Sequence, residues 1–134
     1  MEAAAAVVSF VGLAGPVAQS LKFLYDFTTE MKDCPKDIRE MKTDLELVED
    51  LITQVIRQCN ERDVRLRESA ALARAISNAQ ESVQDLKKEL TEYLVGGKHK
   101  RFRFAAKISQ TQKLRASLDR TKTYMFDFKN QLQR

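Results

Sequence analysis

Residues 38–59 read IREMKTDLELVEDLITQVIRQC and carry the clearest periodicity in the chain. Apolar side chains recur there at intervals that alternate between three and four residues, namely Ile38, Met41, Leu45, Val48, Ile52, Val55 and Cys59. This spacing places them on one face of an α-helix, where other helices can bury them. Pro35 suits the first turn of that helix, because its missing N–H would have no partner there. The stretch therefore predicts an amphipathic helix over residues 35–60.

Two later stretches repeat this pattern. The first stripe consists of Leu72, Ile76, Ala79, Val83, Leu86, Leu90 and Tyr93. The second consists of Phe104, Ile108, Thr111, Leu114, Leu118, Thr121, Met125, Phe128 and Leu132. We predict helices over residues 66–95 and 102–133, with Gly96 and Gly97 ending the former because glycine readily adopts the left-handed conformation of a helix C-terminus. No stretch alternates apolar and polar residues long enough to predict a strand.

The beginning of the chain differs from these stretches, since it has no charged residue from Ala3 to Leu21. Its second half is amphipathic, and we predict one helix over residues 3–31. Its first half, Ala3 to Pro16, has apolar side chains on every face, with Ser9 as the only polar residue. A helix that is apolar all round is expected at a protein centre, in a membrane or against a partner. The overall prediction is a single all-α domain over residues 1–134, a four-helix bundle with an apolar N-terminal helix.

Four interpretations of the apolar beginning follow. A secretory signal peptide is disfavoured, because the only early charge is the acidic Glu2. A permanent transmembrane helix is disfavoured by the many small residues and by Pro16. The third interpretation is that the segment inserts into a bilayer only once it is exposed. The fourth is that it packs over the end of the bundle or in a dimer. The residues expected to drive insertion are Val7, Val8, Phe10, Val11, Leu13, Val17 and Leu21.

Charge is distributed unevenly along the chain. Residues 1–60 carry 6 basic and 10 acidic side chains, whereas residues 96–134 carry 11 basic and 2 acidic ones. The densest basic stretch, within residues 98–107, contains Lys98, Lys100, Arg101, Arg103 and Lys107. These cations suit anionic lipid headgroups, which would complement an apolar N-terminus. Nucleic-acid binding, nuclear import and a solvated turn between helices are the alternatives, and we expect no nucleic acid as partner.

Catalytic and metal-binding patterns are missing from the sequence. The chain has one histidine, His99, and two cysteines, Cys34 and Cys59, without metal-ligand spacing. It has neither a nucleophile–base motif nor a phosphate-cradling glycine loop. We therefore expect neither an enzyme nor a bound cofactor.

The segments VVSFVGLA at residues 7–14 and CPKDIREM at residues 34–41, together with Leu21, Phe23, Leu24 and Tyr25, resemble the beginning of fungal HeLo-like domains. The resemblance is best over residues 7–60, and the later helices match in length and pattern. HeLo-like domains are cytosolic helical bundles that execute regulated cell death in filamentous fungi. They resemble the four-helix domain of the mammalian necroptosis executioner and the coiled-coil domains of some plant immune receptors.

The resemblance implies that this domain is the N-terminal part of a longer signalling protein. Its function would be that of a cell-death effector that rests in the cytoplasm, self-oligomerises, and then inserts its N-terminal helix into the plasma membrane and permeabilises it. The implied partners are anionic lipids and an upstream nucleotide-binding (STAND) receptor or amyloid-motif protein. The alternative is a non-toxic oligomerisation or adaptor module of a NOD-like (STAND) immune receptor.

Overall fold

A computed structural model describes residues 3–30, 36–61, 70–97 and 108–133, and each of these ranges is one α-helix. The helices are α1 (Ala3–Glu30), α2 (Lys36–Glu61), α3 (Ala70–Gly97) and α4 (Ile108–Gln133). The prediction of an all-α four-helix bundle is confirmed. The predicted start at residue 3 and the predicted end at residue 133 coincide with those of α1 and α4, and α2 and α3 end one and two residues beyond the predicted ends at 60 and 95. The other predicted bounds lie outside the described residues.

The helices stand at the corners of a square, in the order α1, α2, α4, α3 around the bundle. Each helix packs against two neighbours, so α1 lies diagonally opposite α4 and α2 lies opposite α3. Contacts fix the directions of the helices: Tyr25 near the end of α1 lies under Lys42 near the start of α2. Likewise Thr121 of α4 contacts the carbonyl of Ser82 on α3, whereas Arg120, one residue earlier on α4, pairs with Asp85, three residues later on α3. The consecutive helices of both hairpins are therefore antiparallel.

The core is built from the predicted stripes. On α2 the stripe residues from Met41 to Cys59 are all buried, as are those of α3 from Leu72 to Leu90 and those of α4 from Thr111 to Leu132. The side chains of Ile38, Tyr93, Phe104 and Ile108 lie outside the described part of the chain. Buried residues that the stripes missed flank them on the same faces: Leu51, Ala75, Ser82 and Ser117.

Small polar side chains are buried along the seam between α3 and α4. The Ser82 hydroxyl donates to the carbonyl of Ala79 at 2.9 Å, and the Thr121 hydroxyl lies 2.8 Å from the carbonyl of Ser117, to which it donates. The same Thr121 oxygen is 3.3 Å from the carbonyl of Ser82 across the seam. Such bonds to carbonyls of the same helix satisfy the hydroxyl groups of Ser and Thr when these side chains are buried. Because the side chains are small, α3 and α4 can also pack closely.

Candidate membrane-active helix

The inner face of α1 belongs to the bundle core along its whole length. Its buried residues are Val7, Phe10, Ala14, Val17, Ala18, Leu21, Leu24 and Thr28. They recur every three or four residues, so α1 occupies a corner position like the other three helices. The apolar first half therefore needs no central position in the fold, because one of its faces is enough to bury it.

Phe10 and Phe128 join α1 to the diagonally opposite helix α4. Both side chains are fully buried. Their ring centroids are 5.1 Å apart, and the rings meet edge to face at 83°. This geometry directs the positive edge of one ring at the negative face of the other, which stabilises the pair beyond simple burial. The centre of the bundle is thus closed by an α1 side chain.

The outer face of α1 is unusually apolar for a solvent-facing helix. From Ala5 to Gln19 its exposed residues carry no charge: Ala5, Val8, Ser9, Gly12, Pro16 and Gln19. Val8 is 71% exposed, and Phe23 further along is 56% exposed and in ring contact with Phe27. A bundle helix normally places polar or charged residues on this face. Two large apolar side chains of α1 therefore project into solvent from the folded domain.

Pro16 and two glycines interrupt this face without an evident packing reason. Pro16 lies inside α1 and has no N–H to donate to the carbonyl of Gly12, one turn earlier. A Cβ placed on Gly12 or Gly15 would meet no atom of another helix within 4 Å. Glycine in a helix interior is destabilising by about 0.5–1 kcal/mol relative to alanine. The bundle therefore does not itself require glycine at either position.

Polar contacts of α1 lie near its two ends. The side-chain amide of Gln80 on α3 donates to the Ser9 hydroxyl at 3.1 Å. Near the other end, the ammonium of Lys42 lies 5.3 Å from the centre of the Tyr25 ring. A hydrogen bond to Glu46 raises the pKa of the Tyr25 hydroxyl, with smaller contributions from desolvation and from the Glu46 charge. These contacts are exposed, so apolar burial holds α1 more strongly than they do.

The seven residues predicted to insert into a membrane divide between the two faces. Val7, Phe10, Val17 and Leu21 are buried in the core, Val11 and Leu13 are partly buried against it, and Val8 is exposed. The prediction did not include Phe23. This residue lies three helical turns beyond Gly12, and that spacing alone places it on the same face of α1. The predicted lipid-binding cations Lys98, Lys100, Arg101, Arg103 and Lys107 lie outside the described residues, as does Cys34.

By length and composition, the segment Ala5–Glu30 is sufficient to cross a membrane. In its apolar window, 33% of the residues are buried within the bundle. Core helices of soluble proteins and signal sequences meet the same criterion. In the described ranges no group of three or more His, Cys, Asp or Glu side chains is placed to hold a metal ion.

Together these features define a helical bundle whose first helix is apolar both inside and outside. No family model, curated protein or solved structure matches this chain. The geometry of α1 is therefore the feature of the described bundle that bears most directly on function.

Proposed function

We propose that this chain is a cell-death effector domain that permeabilises the plasma membrane with α1 after self-oligomerisation. The observation that carries the proposal is the uncharged outer face of α1, on which Val8 is 71% exposed. Because the inner face of the same helix is also apolar, α1 can place every side of residues 5–19 in hydrocarbon. The resemblance to HeLo-like domains supplies the cell-death context.

For the inner face of α1, transfer from the bundle core to the bilayer changes the free energy of apolar burial little. Burial of a Leu or Phe side chain in the core contributes about 1.5–3 kcal/mol, and lipid tails are comparably apolar. Phe10 and Leu21 therefore lose little when hydrocarbon replaces the core around them. The outer face gains only in the membrane, since Val8 is solvated in the bundle. The cost that opposes insertion is the exposure to water of the core side chains of α2, α3 and α4 that pack against α1, Phe128 among them.

Anionic lipid would favour this exchange through the basic stretch at residues 98–107. Each Lys or Arg near a negatively charged membrane surface contributes about 1 kcal/mol of attraction. The domain would then rest in the cytoplasm and bind the plasma membrane when an upstream STAND receptor or amyloid-motif partner clusters it. Clustering raises the local number of α1 helices and cations at the same patch of bilayer.

The proposal is tested by dye leakage from vesicles with and without phosphatidylserine, using Val8→Glu and a matched control. Phe126 on α4 is also an exposed large apolar residue, at 43%, and α4 lies opposite α1. Both substitutions add one carboxylate at a solvent-facing apolar position, so neither should change the thermal unfolding of the bundle much. We expect Val8→Glu to abolish leakage and Phe126→Glu to retain it. Equal leakage from both variants would contradict the proposal.

A second candidate function is a non-toxic oligomerisation module, and Gly12 with Gly15 favours it. Open space above both glycines admits the backbone of another helix at close range. This reading predicts a concentration-dependent dimer that Gly12→Leu dissociates, with no leakage from vesicles. Leakage from vesicles by the wild-type chain separates the two candidates, since only the effector function predicts it. Light scattering of the wild-type chain and of Gly12→Leu then tests whether the module dimerises through the glycines.

A further inference from the structure

Two large apolar side chains that α1 exposes, Val8 and Phe23, lie on one line along the helix. They are 15 positions apart in the sequence, which is about 22 Å along the helix axis and little more than four turns. Both therefore face away from the core, on the side of α1 opposite Phe10 and Leu21. From Val8 to Gln19 the exposed residues carry no charge. The line is thus an apolar stripe on the outer surface of the bundle.

This stripe is symmetric about its own centre. The midpoint between Val8 and Phe23 is the peptide bond that precedes Pro16. A two-fold axis through that point turns the stripe onto itself in the opposite direction, so Val8 of one copy meets Phe23 of the other on both sides of the axis. The same rotation sets Gly12 against the partner's Gln19. The outer face of α1 is therefore complementary to itself in one antiparallel register.

Gly12 leaves the space that such a contact needs. No atom of another helix lies within 4 Å of the position that its Cβ would take, so a second helix can approach the backbone closely there. Gly12 is one turn from Val8, and the edge of the partner's Phe23 ring can enter this space. The ring of Phe23 contacts that of Phe27, which packs against the core. Phe23 is thus supported on the outer face without being buried by it.

The charges of α1 favour the antiparallel direction. Lys22, Asp26 and Glu30 are exposed near its C-terminal end, and its first turn contains no acidic residue. The antiparallel register brings the partner's Asp26 beside Ala5 in that first turn, where the positive end of the helix dipole stabilises a carboxylate. A parallel pair would instead set Asp26 and Glu30 beside their own copies, and like charges repel.

We propose that a second copy of this chain covers the outer face of α1 in a two-fold antiparallel dimer. A contact along one helix of each copy is smaller than a standard interface, so we expect a dissociation constant on the order of 10–100 μM. The dimer would keep out of water the same face that the bilayer is proposed to receive. This resting role rests on the function proposed for α1, whereas the dimer itself does not.

Cysteine cross-linking above this concentration tests the direction and the register. The background is Cys34→Ser, in which the remaining thiol, Cys59, is buried, and copper phenanthroline oxidises adjacent thiols to a disulfide. Val8→Cys mixed with Phe23→Cys should give a covalent dimer. Neither variant should cross-link to itself, because like positions lie about 22 Å apart along the axis in the antiparallel pair.

A second pair and a control complete the design. Gly12→Cys mixed with Gln19→Cys should also cross-link, and this pair keeps Val8 and Phe23 in place. The control is Phe126→Cys mixed with Phe23→Cys, because Phe126 is an exposed apolar residue of α4, on the opposite side of the bundle. Both test pairs should cross-link well above the control. Rates equal to the control, or self-cross-linking of Val8→Cys, would overturn the antiparallel dimer.

Dye leakage from phosphatidylserine vesicles separates this dimer from the function proposed for α1. The disulfide-linked dimer of Val8→Cys with Phe23→Cys should cause no leakage until dithiothreitol reduces it. The predicted cross-links with no leakage after reduction would support the dimer and contradict the effector function. Leakage without cross-links above the control would support the effector function and overturn the dimer. Equal leakage before and after reduction would overturn the resting role.

Discussion

The ring of Phe10 on α1 meets the ring of Phe128 on α4 edge to face across the diagonal of the bundle, with centroids 5.1 Å apart. These two helices are not neighbours at the bundle surface. One side chain from each therefore closes the centre of the core. Any event that withdraws α1 must separate this pair and leave Phe128 without its partner.

The first prediction concerns the strength of this pair. Phe10→Leu and Phe128→Leu should each lower the free energy of unfolding by about 1–2 kcal/mol, since each loses aromatic packing in a close-packed site. The double variant should lose less than the sum, with a coupling of about 0.5–1.5 kcal/mol. Urea unfolding of the wild type, the two single variants and the double variant measures this coupling. Additive losses would show that the rings do not interact beyond burial.

The second prediction uses the absence of tryptophan from the chain. Phe10→Trp, Phe23→Trp and Phe126→Trp each provide a single fluorophore, placed in the core, on the outer face of α1 and on α4. With vesicles of brominated lipid, the proposed insertion should quench the emission of the first two, and the third should remain unquenched. Quenching at position 23 without quenching at position 10 would mean that α1 binds the membrane surface while still docked in the bundle.

The third prediction concerns the glycines of α1. Gly12→Ala should raise the free energy of unfolding by about 0.5–1 kcal/mol, because alanine is the better helix former and no atom of another helix lies within 4 Å of its Cβ. Gly15→Ala should not, because Pro16 follows it and the proline ring disfavours the helical conformation of a preceding residue that carries a Cβ. Thermal unfolding at low protein concentration measures this change without self-association. A loss of stability for Gly12→Ala, or a gain of this size for Gly15→Ala, would contradict the prediction.

The fourth prediction concerns Cys59, a buried free thiol. Burial raises its pKa from 9.0 to about 11, so the folded state keeps its proton at a pH where the unfolded chain loses it. Stability from this group is therefore complete below about pH 9 and declines by about 2–3 kcal/mol as the pH rises to 11. Comparison with Cys59→Ala over this range isolates the effect from other alkaline titrations.

The reactivity of the same thiol provides a control. In a Cys34→Ser background, Cys59 is the sole thiol, and iodoacetamide should modify it slowly at pH 8 in the folded protein and rapidly in urea. Fast modification of the folded protein would contradict both the burial and the raised pKa.

The alternating intervals of three and four residues were sufficient to predict α2, α3 and α4 and most of their inward side chains, from Met41 to Cys59 on α2 and from Thr111 to Leu132 on α4. Such spacing is a local property, because the helical repeat alone determines which residues share a face. The charge-free segment from Ala3 to Leu21 was equally visible. Its spacing did not reveal which of its apolar faces is buried, since every face of residues 3–16 offers similar hydrophobicity.

Only the tertiary structure decided which apolar face of α1 is buried. Packing against α2 and α3 selected the face with Phe10 and Leu21 for the core and left Val8 and Phe23 in solvent. It also brought Lys88 of α3 beside Lys113 and Arg120 of α4, residues that are at least 25 positions apart in the sequence. A periodicity within one helix carries no information on which helices become neighbours. The sequence determined the helices and their apolar surfaces, and the arrangement of the bundle determined which of those surfaces remain exposed.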